Sequence, residues 1–150
     1  MIKILFVCHG NICRSPMAQY VMQYLINEAG LSDKITVDSA ATSREEIGNS
    51  IHYGTKKKLR EMGIPFDDHR ARQMTKQDYE NYDLLIGMES VNIRNMLRIA
   101  GGDPKQKIRR ILDFTEFPKE IDDPWYTGDF DITYEQIMQG CQALLTFLEK

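Results

Sequence analysis

The apolar positions of this chain alternate between short unbroken runs and stripes at helical spacing. Ile2, Ile4, Leu5, Phe6 and Val7 form the first run, suited to a strand buried on both faces. Met17, Ala18, Val21, Met22, Leu25, Ile26 and Ala29 then recur as one face of a helix. Ser15 is its expected N-cap, Pro16 its first residue and Gly30 its stop. Ile35-Thr36-Val37 reads as a second strand ending at Asp38-Ser39, and residues 40–50 as loop. A second helix carries Leu59 and Met62 and ends at Gly63. Tyr82 to Met88 reads as a third, buried strand, Asn92 to Ala100 as a helix closed by Gly101-Gly102, and Ile108 to Leu112 as a fourth strand. The last helix is expected near Thr133, with Gln136 placed for a capping box. Its apolar face is Ile137, Cys141, Leu144, Leu145 and Leu148, which makes Cys141 a core residue.

Strands and helices in alternation imply right-handed crossovers and a parallel sheet covered on both faces. The expected architecture is α/β, a single-domain three-layer αβα sandwich over residues 1–150 with a central four-stranded parallel sheet. Ligands in such folds bind beyond the carboxyl ends of the strands. The segment after Val7, Ser39, and Met88-Glu89 all follow such ends. Asp113 to Asp131 reads as long and structureless, a length more often functional than filler.

Composition narrows the function classes. A chain of 150 residues with 42% hydrophobic and 27% charged residues reads as one soluble globular domain. A formal net charge of −3 gives no reason to expect nucleic acid or an anionic membrane as partner. A local basic lip from Arg14, Arg44, Arg70 and Arg72 remains compatible with it. Met1 leads straight into strand residues without a signal-like segment, and no apolar run is long enough to span a bilayer. Three cysteines, an odd count, argue against a secreted disulfide framework, so the expected location is cytoplasmic.

The candidate chemistry sits in Cys8-His9-Gly10-Asn11-Ile12-Cys13-Arg14-Ser15-Pro16, between the first strand and the first helix. Strand, tight loop and helix start turn backbone N–H groups and the positive helix end toward one point, which suits a phosphate. A cysteine at the base of that cup is favoured as thiolate, the nucleophilic form. Arg14 supplies a planar fork that matches two phosphate oxygens. Asn11 suits a left-handed turn. Ser15 can give its hydroxyl hydrogen to the Cys8 sulfur. Cys13, on the same curled loop, is close enough to trap an oxidised Cys8 as a disulfide.

This segment resembles the signature loop of the low-molecular-weight protein tyrosine phosphatases. Asp38-Ser39-Ala40, His69-Arg70-Ala71-Arg72-Gln73, Met88-Glu89-Ser90-Val91-Asn92 and Asp123-Pro124-Trp125-Tyr126 are similar to later segments of that family, in its order. The resemblance spans nearly the whole chain. It implies hydrolysis of phosphotyrosine, and of small aryl phosphates, through a phosphocysteine intermediate. Cys8 is then the nucleophile, Arg14 the phosphate clamp and Asp123 the general acid, with no cofactor and no metal. A phosphotyrosine-containing protein or peptide is the implied substrate, inorganic phosphate the product and inhibitor, and the chain a monomer or weak homodimer. Ser39 and His69 fall where the family supports its loop asparagine, and Asn92 is a further supporting candidate.

Two stretches depart from that pattern. Glu45 stands where the cleft wall often carries an aromatic ring, and Trp125-Tyr126 stand where two tyrosines are usual. Glu89 also replaces the more usual aspartate. Rival readings fit less well. An arsenate reductase needs further downstream cysteines, and only Cys141 is available. A protein arginine phosphatase carries threonine at the position of Ile12. A silent phosphate-binding module would not need Cys8, Arg14 and Asp123 together. A metal-dependent phosphatase is disfavoured because no carboxylate or histidine cluster has ligand spacing.

Overall fold

Ile4 to Cys8 are buried without interruption, and the other elements are laid around that strand. The computed structural model describes residues 1–150. β1 (Ile2–Cys8) leads into α1 (Arg14–Glu28), and β2 (Ile35–Ala41) into α2 (Tyr53–Glu61) and α3 (Lys76–Asn81). β3 (Leu84–Gly87) leads into α4 (Ser90–Ala100). β4 (Ile108–Arg110) is followed by a 3-10 turn (Ile111–Phe114), the one-turn α5 (Pro124–Thr127) and α6 (Phe130–Leu148). The sheet is parallel throughout, in the order β2-β1-β3-β4. No helix is long and apolar enough to cross a membrane.

Side chains alternate across β1, so one strand feeds two cores. Ile4 and Phe6 pack with Met17, Val21, Ile137 and Leu144 under α1 and α6. Leu5 and Val7 pack with Met74, Tyr79 and Met96 on the opposite face. Burying each such aliphatic or aromatic side chain contributes about 1.5–3 kcal/mol. The three-layer sandwich expected from the sequence is the architecture observed. Cys141 is fully buried in the larger core, as expected.

The boundaries shift where side chains have other work to do. Cys13, not Ser15, is the N-cap of α1, and Ser15 and Pro16 are its second and third residues. The Ser15 hydroxyl turns inward to Cys8 and Asn11 instead of capping. Pro16 stays tolerated because first-turn amides have no helical partner to lose. β2 runs on through Ala41, since it remains paired with Cys8 and also bridges Gln73. Residues 40 and 41 are therefore strand and not loop. β4 stops at Arg110, ahead of its expected end, where the chain tightens into the 3-10 turn. α4 starts at Ser90, ahead of Asn92, with Glu89 as N-cap.

Residues 113–131 are not structureless. They hold the end of the 3-10 turn, α5 capped by Asp123, and the start of α6 capped by Asp129. Thr133 and Gln136 do not open the last helix. Gln136 Oε1 accepts from the Asp122 amide at 2.8 Å, and Thr133 Oγ1 donates to the Asp122 carbonyl at 2.9 Å. α6 thus grips the backbone next to Asp123. Near its start, Phe130 lies so close over α2 that a β-carbon at Gly54 would collide with its ring.

Candidate active site

Cys8 closes β1, and its sulfur is met by one group from the turn that follows and one from the first turn of α1. The Asn11 amide points at Sγ from 3.3 Å and Ser15 Oγ lies at 3.0 Å. The backbone amides of Gly10, Ile12, Cys13, Arg14 and Ser15 have no acceptor within the protein. These unpaired N–H groups lie at the start of a 15-residue helix, and Gly10, Ile12, Cys13 and Arg14 line one cleft with Cys8. This is the arrangement that binds an anion with oxygens on several sides.

The turn holds its shape through Asn11, which is fully buried with φ 59°. Its Nδ2 donates to Ser15 Oγ (2.8 Å) and Ser39 Oγ (2.9 Å). Its Oδ1 accepts from His69 Nε2 (2.8 Å) and the Arg72 amide (3.3 Å). An asparagine side chain offers two donors and two lone pairs, and here all are used. With Asn11 donating into Ser15 Oγ, the one Ser15 hydrogen has two acceptors in reach, the Cys8 sulfur at 3.0 Å and the Ala40 carbonyl at 3.4 Å, and the sulfur is the nearer. Ser39 in turn donates to Gln19 Oε1 at 2.6 Å. Gln19 was not picked out from the sequence; its signal was its place one helical turn beyond Ser15 on the same face of α1.

Burial holds the His69 imidazole below its ordinary pKa, with Arg72 adding to the effect and Asp38 and Asp68 opposing it. Neutral His69 is the form that fits the network. The unfolded chain gains a proton near pH 6.5 that folded His69 refuses, so stability falls as pH drops below about 6.5 and levels off once the folded imidazole titrates. His69→Gln should flatten that segment of the curve. Urea midpoints taken between neutral and mildly acid pH check it; an unchanged slope would remove His69 as its source.

Arg14 is 2% exposed and sits behind the cup. Nη1 donates to Glu89 Oε2 and to the Ile121 carbonyl, both at 3.1 Å, and Nη2 to Asp123 Oδ2 at 3.3 Å. Burial alone would lower its pKa, but the charges of Cys8, Asp123 and Glu89 outweigh it and lift it above the ordinary value. Glu89 is positioned by Asn92, whose Oδ1 accepts from the Met88 and Glu89 amides at 3.0 Å each. Asn92 therefore supports the arginine side of the site and does not touch Asn11. The second oxygen of Asp123, Oδ1, accepts from the Trp125 amide at 3.0 Å and caps α5.

The cleft above has a volume of about 460 Å³. His9, Ile12, Glu45, Trp125 and Tyr126 line it, and Asp123 faces it from the Arg14 side. His9 Nε2 and Glu45 Oε2 lie 3.0 Å apart across the rim, so the polar wall expected at Glu45 is real. The basic lip is not. Arg44 bonds Gln73, Arg70 pairs with Asp68 and Arg72 with Asp78, all drawn to nearer acceptors away from the cleft. Cys13 also lines it, and burial, with the neighbouring Cys8, pushes its thiol up to about 12. No group of three or more His, Cys, Asp or Glu side chains is placed to hold a metal ion.

A thiol ringed by amides, a buried arginine behind it and a carboxyl in front define a cysteine-based site for phosphate esters. Comparison with known proteins narrows that class. The profile of the low molecular weight phosphotyrosine protein phosphatases matches residues 3–150. The chain is 42% identical to the low molecular weight protein-tyrosine-phosphatase YfkJ of Bacillus subtilis, over 100% of this chain and 97% of that one. It is 39% identical to the human low molecular weight phosphotyrosine protein phosphatase, over 99% and 94%. The crystal structure of YfkJ superposes with a TM-score of 0.96, covering 99% of this chain and 95% of that one. The chain belongs to the low molecular weight phosphotyrosine protein phosphatase family.

Proposed function

We propose that this protein hydrolyses phosphotyrosine in protein or peptide substrates through a phosphocysteine intermediate. The observation that carries the reading is the placing of the Asn11 N–H and the Ser15 hydroxyl against the Cys8 sulfur, in a loop whose other amides are unpaired. The Cys8 thiolate attacks phosphorus, an S–P bond forms and the P–O bond to the tyrosine oxygen breaks. Arg14 and the loop amides hold the equatorial oxygens through a loose transition state. Asp123 gives its proton to the departing phenolate. Water then attacks the phosphocysteine, Asp123 takes its proton, and the thiolate leaves against the Ser15 hydroxyl. Inorganic phosphate is released and competes for the same cup. The same reading carries a monomer or weak homodimer and a cytoplasmic location, which three free thiols suit.

Initial rates on matched phosphotyrosine, phosphoserine and phosphoarginine peptides test the reading. Phosphotyrosine alone should be turned over well, because a short phosphoserine leaves phosphorus out of reach of Cys8. Faster hydrolysis of either other peptide overturns it. Glu45 sets a finer preference: its carboxylate should disfavour acidic peptides, less so in high salt. Glu45→Trp should tighten phosphotyrosine peptides by roughly 0.5–1.5 kcal/mol through ring packing, read as a lower KM with little change in kcat. Unchanged KM and charge preference would take Glu45 out of the cleft.

Cys13 is proposed as the resolving thiol. Peroxide converts the Cys8 thiolate to a sulfenic acid, and the Cys13 sulfur displaces its hydroxyl as water to form the disulfide. Wild-type activity should return on adding thiol, whereas Cys13→Ser should be lost for good under the same treatment. Equal recovery of the two proteins would end the protective role.

A further inference from the structure

A second concavity lies beside the catalytic cleft. It is a groove of about 910 Å³, and Trp125 lines both. One wall is the start of α2, with His52, Tyr53, Lys57 and Lys58; the other runs from Pro124 to Asp131. Aromatic stacking joins the walls. The His52 ring lies 4.8 Å from Tyr53 at 27°, 5.4 Å from Phe130 at 18°, and 5.8 Å from the Trp125 ring, edge on. Lys58 Nζ and Asp131 Oδ1, 2.7 Å apart, tie the walls together again.

Three observations bear on what this groove takes. Tyr53 is 77% and Trp125 58% exposed, so two aromatic side chains on one groove face solvent, the surface from which recognition hot spots are built. Lys57 is exposed and has no ion-pair partner, whereas Lys58 beside it has two. The groove also continues the cleft, since Trp125 belongs to both and lies two residues beyond Asp123. A polypeptide anchored by phosphotyrosine over Cys8 therefore meets the groove next. We propose that it is a docking site for the substrate chain flanking the phosphotyrosine. It takes an aromatic or large aliphatic side chain against Tyr53 and Trp125, and a carboxylate at Lys57. This rests on the phosphotyrosine reading above.

The test compares p-nitrophenyl phosphate, which is too small to reach the groove, with two phosphotyrosine peptides. One peptide carries Phe and Asp within a few residues on each side of the phosphotyrosine; the other has alanine at those positions. Tyr53→Ala and Lys57→Glu should leave kcat/KM for p-nitrophenyl phosphate and the alanine peptide unchanged. Each should raise KM for the Phe/Asp peptide about two- to tenfold with kcat unaltered. The Lys57→Glu loss should shrink in high salt. If the small substrate and both peptides move together, or nothing moves, the docking site is overturned. Should Tyr53→Ala fail to fold, Lys57→Glu decides alone, because its side chain is exposed and unpaired. A wild-type protein inactive on every phosphotyrosine peptide overturns the underlying reading, an outcome visible before any variant is made.

Discussion

Cys8→Ser should lower turnover of aryl phosphates by roughly 10⁴- to 10⁶-fold while leaving a folded protein that still binds phosphate. The substitution exchanges sulfur for oxygen and little else. The Asn11 amide and the Ser15 hydroxyl can both meet a serine oxygen, and the unpaired loop amides are unaltered. What is lost is ionisation, because an alcohol is far harder to deprotonate than a thiol and a neutral hydroxyl is a poor nucleophile toward phosphorus. Phosphate protection against thermal unfolding, measured beside kcat, separates the two effects. Appreciable residual turnover would falsify the phosphocysteine route.

Asp123→Asn should slow substrates with poor leaving groups by roughly 10²- to 10⁴-fold and those with good ones, such as p-nitrophenyl phosphate, far less. Only a poor leaving group needs the proton at the moment the bond breaks. Asparagine is the informative replacement because it caps a helix as well as aspartate does, so the Trp125 amide keeps its acceptor and α5 its start. An alanine there would confound lost acid with lost cap. Rates on aryl phosphates of graded leaving-group pKa give the slope directly. If Asp122→Asn or Asp129→Asn steepens that slope and Asp123→Asn does not, the acid has been assigned to the wrong carboxyl.

Local signals carried the fold further than they carried the contacts of the site. Unbroken apolar runs marked β1 and β3 because strands buried on both faces leave no room for polar alternation. α3 carries no such signal: Lys76–Asn81 has no apolar stripe and stands on a capping box between Thr75 and Asp78. Ser15 and Thr133 are not caps, for a shared reason. Ser-Pro and Thr-x-x-Gln look like caps to any local reading, but each hydroxyl bonds back to an earlier residue, near Cys8 Sγ and to the Asp122 carbonyl. The nearness of Cys8 to Ser15 follows from a few intervening residues and was readable. That Arg14 would be met by Glu89, Ile121 and Asp123 was not, since those contacts span 75 to 109 positions and exist only once the sheet is assembled.

β1 is an inner strand of its sheet and carries the nucleophile at its end, yet both strands that flank it come later in the chain. Synthesis therefore delivers the reactive cysteine first and its setting last. Until β2 and β3 have left the ribosome, Cys8 ends a solvent-exposed apolar segment with no sheet around it. Until α6 has followed, the backbone beside the acid lacks its Thr133 and Gln136 partners. The site thus cannot assemble before the later strands are made, and the exposed first strand is the stretch that early chaperone contact would have to cover.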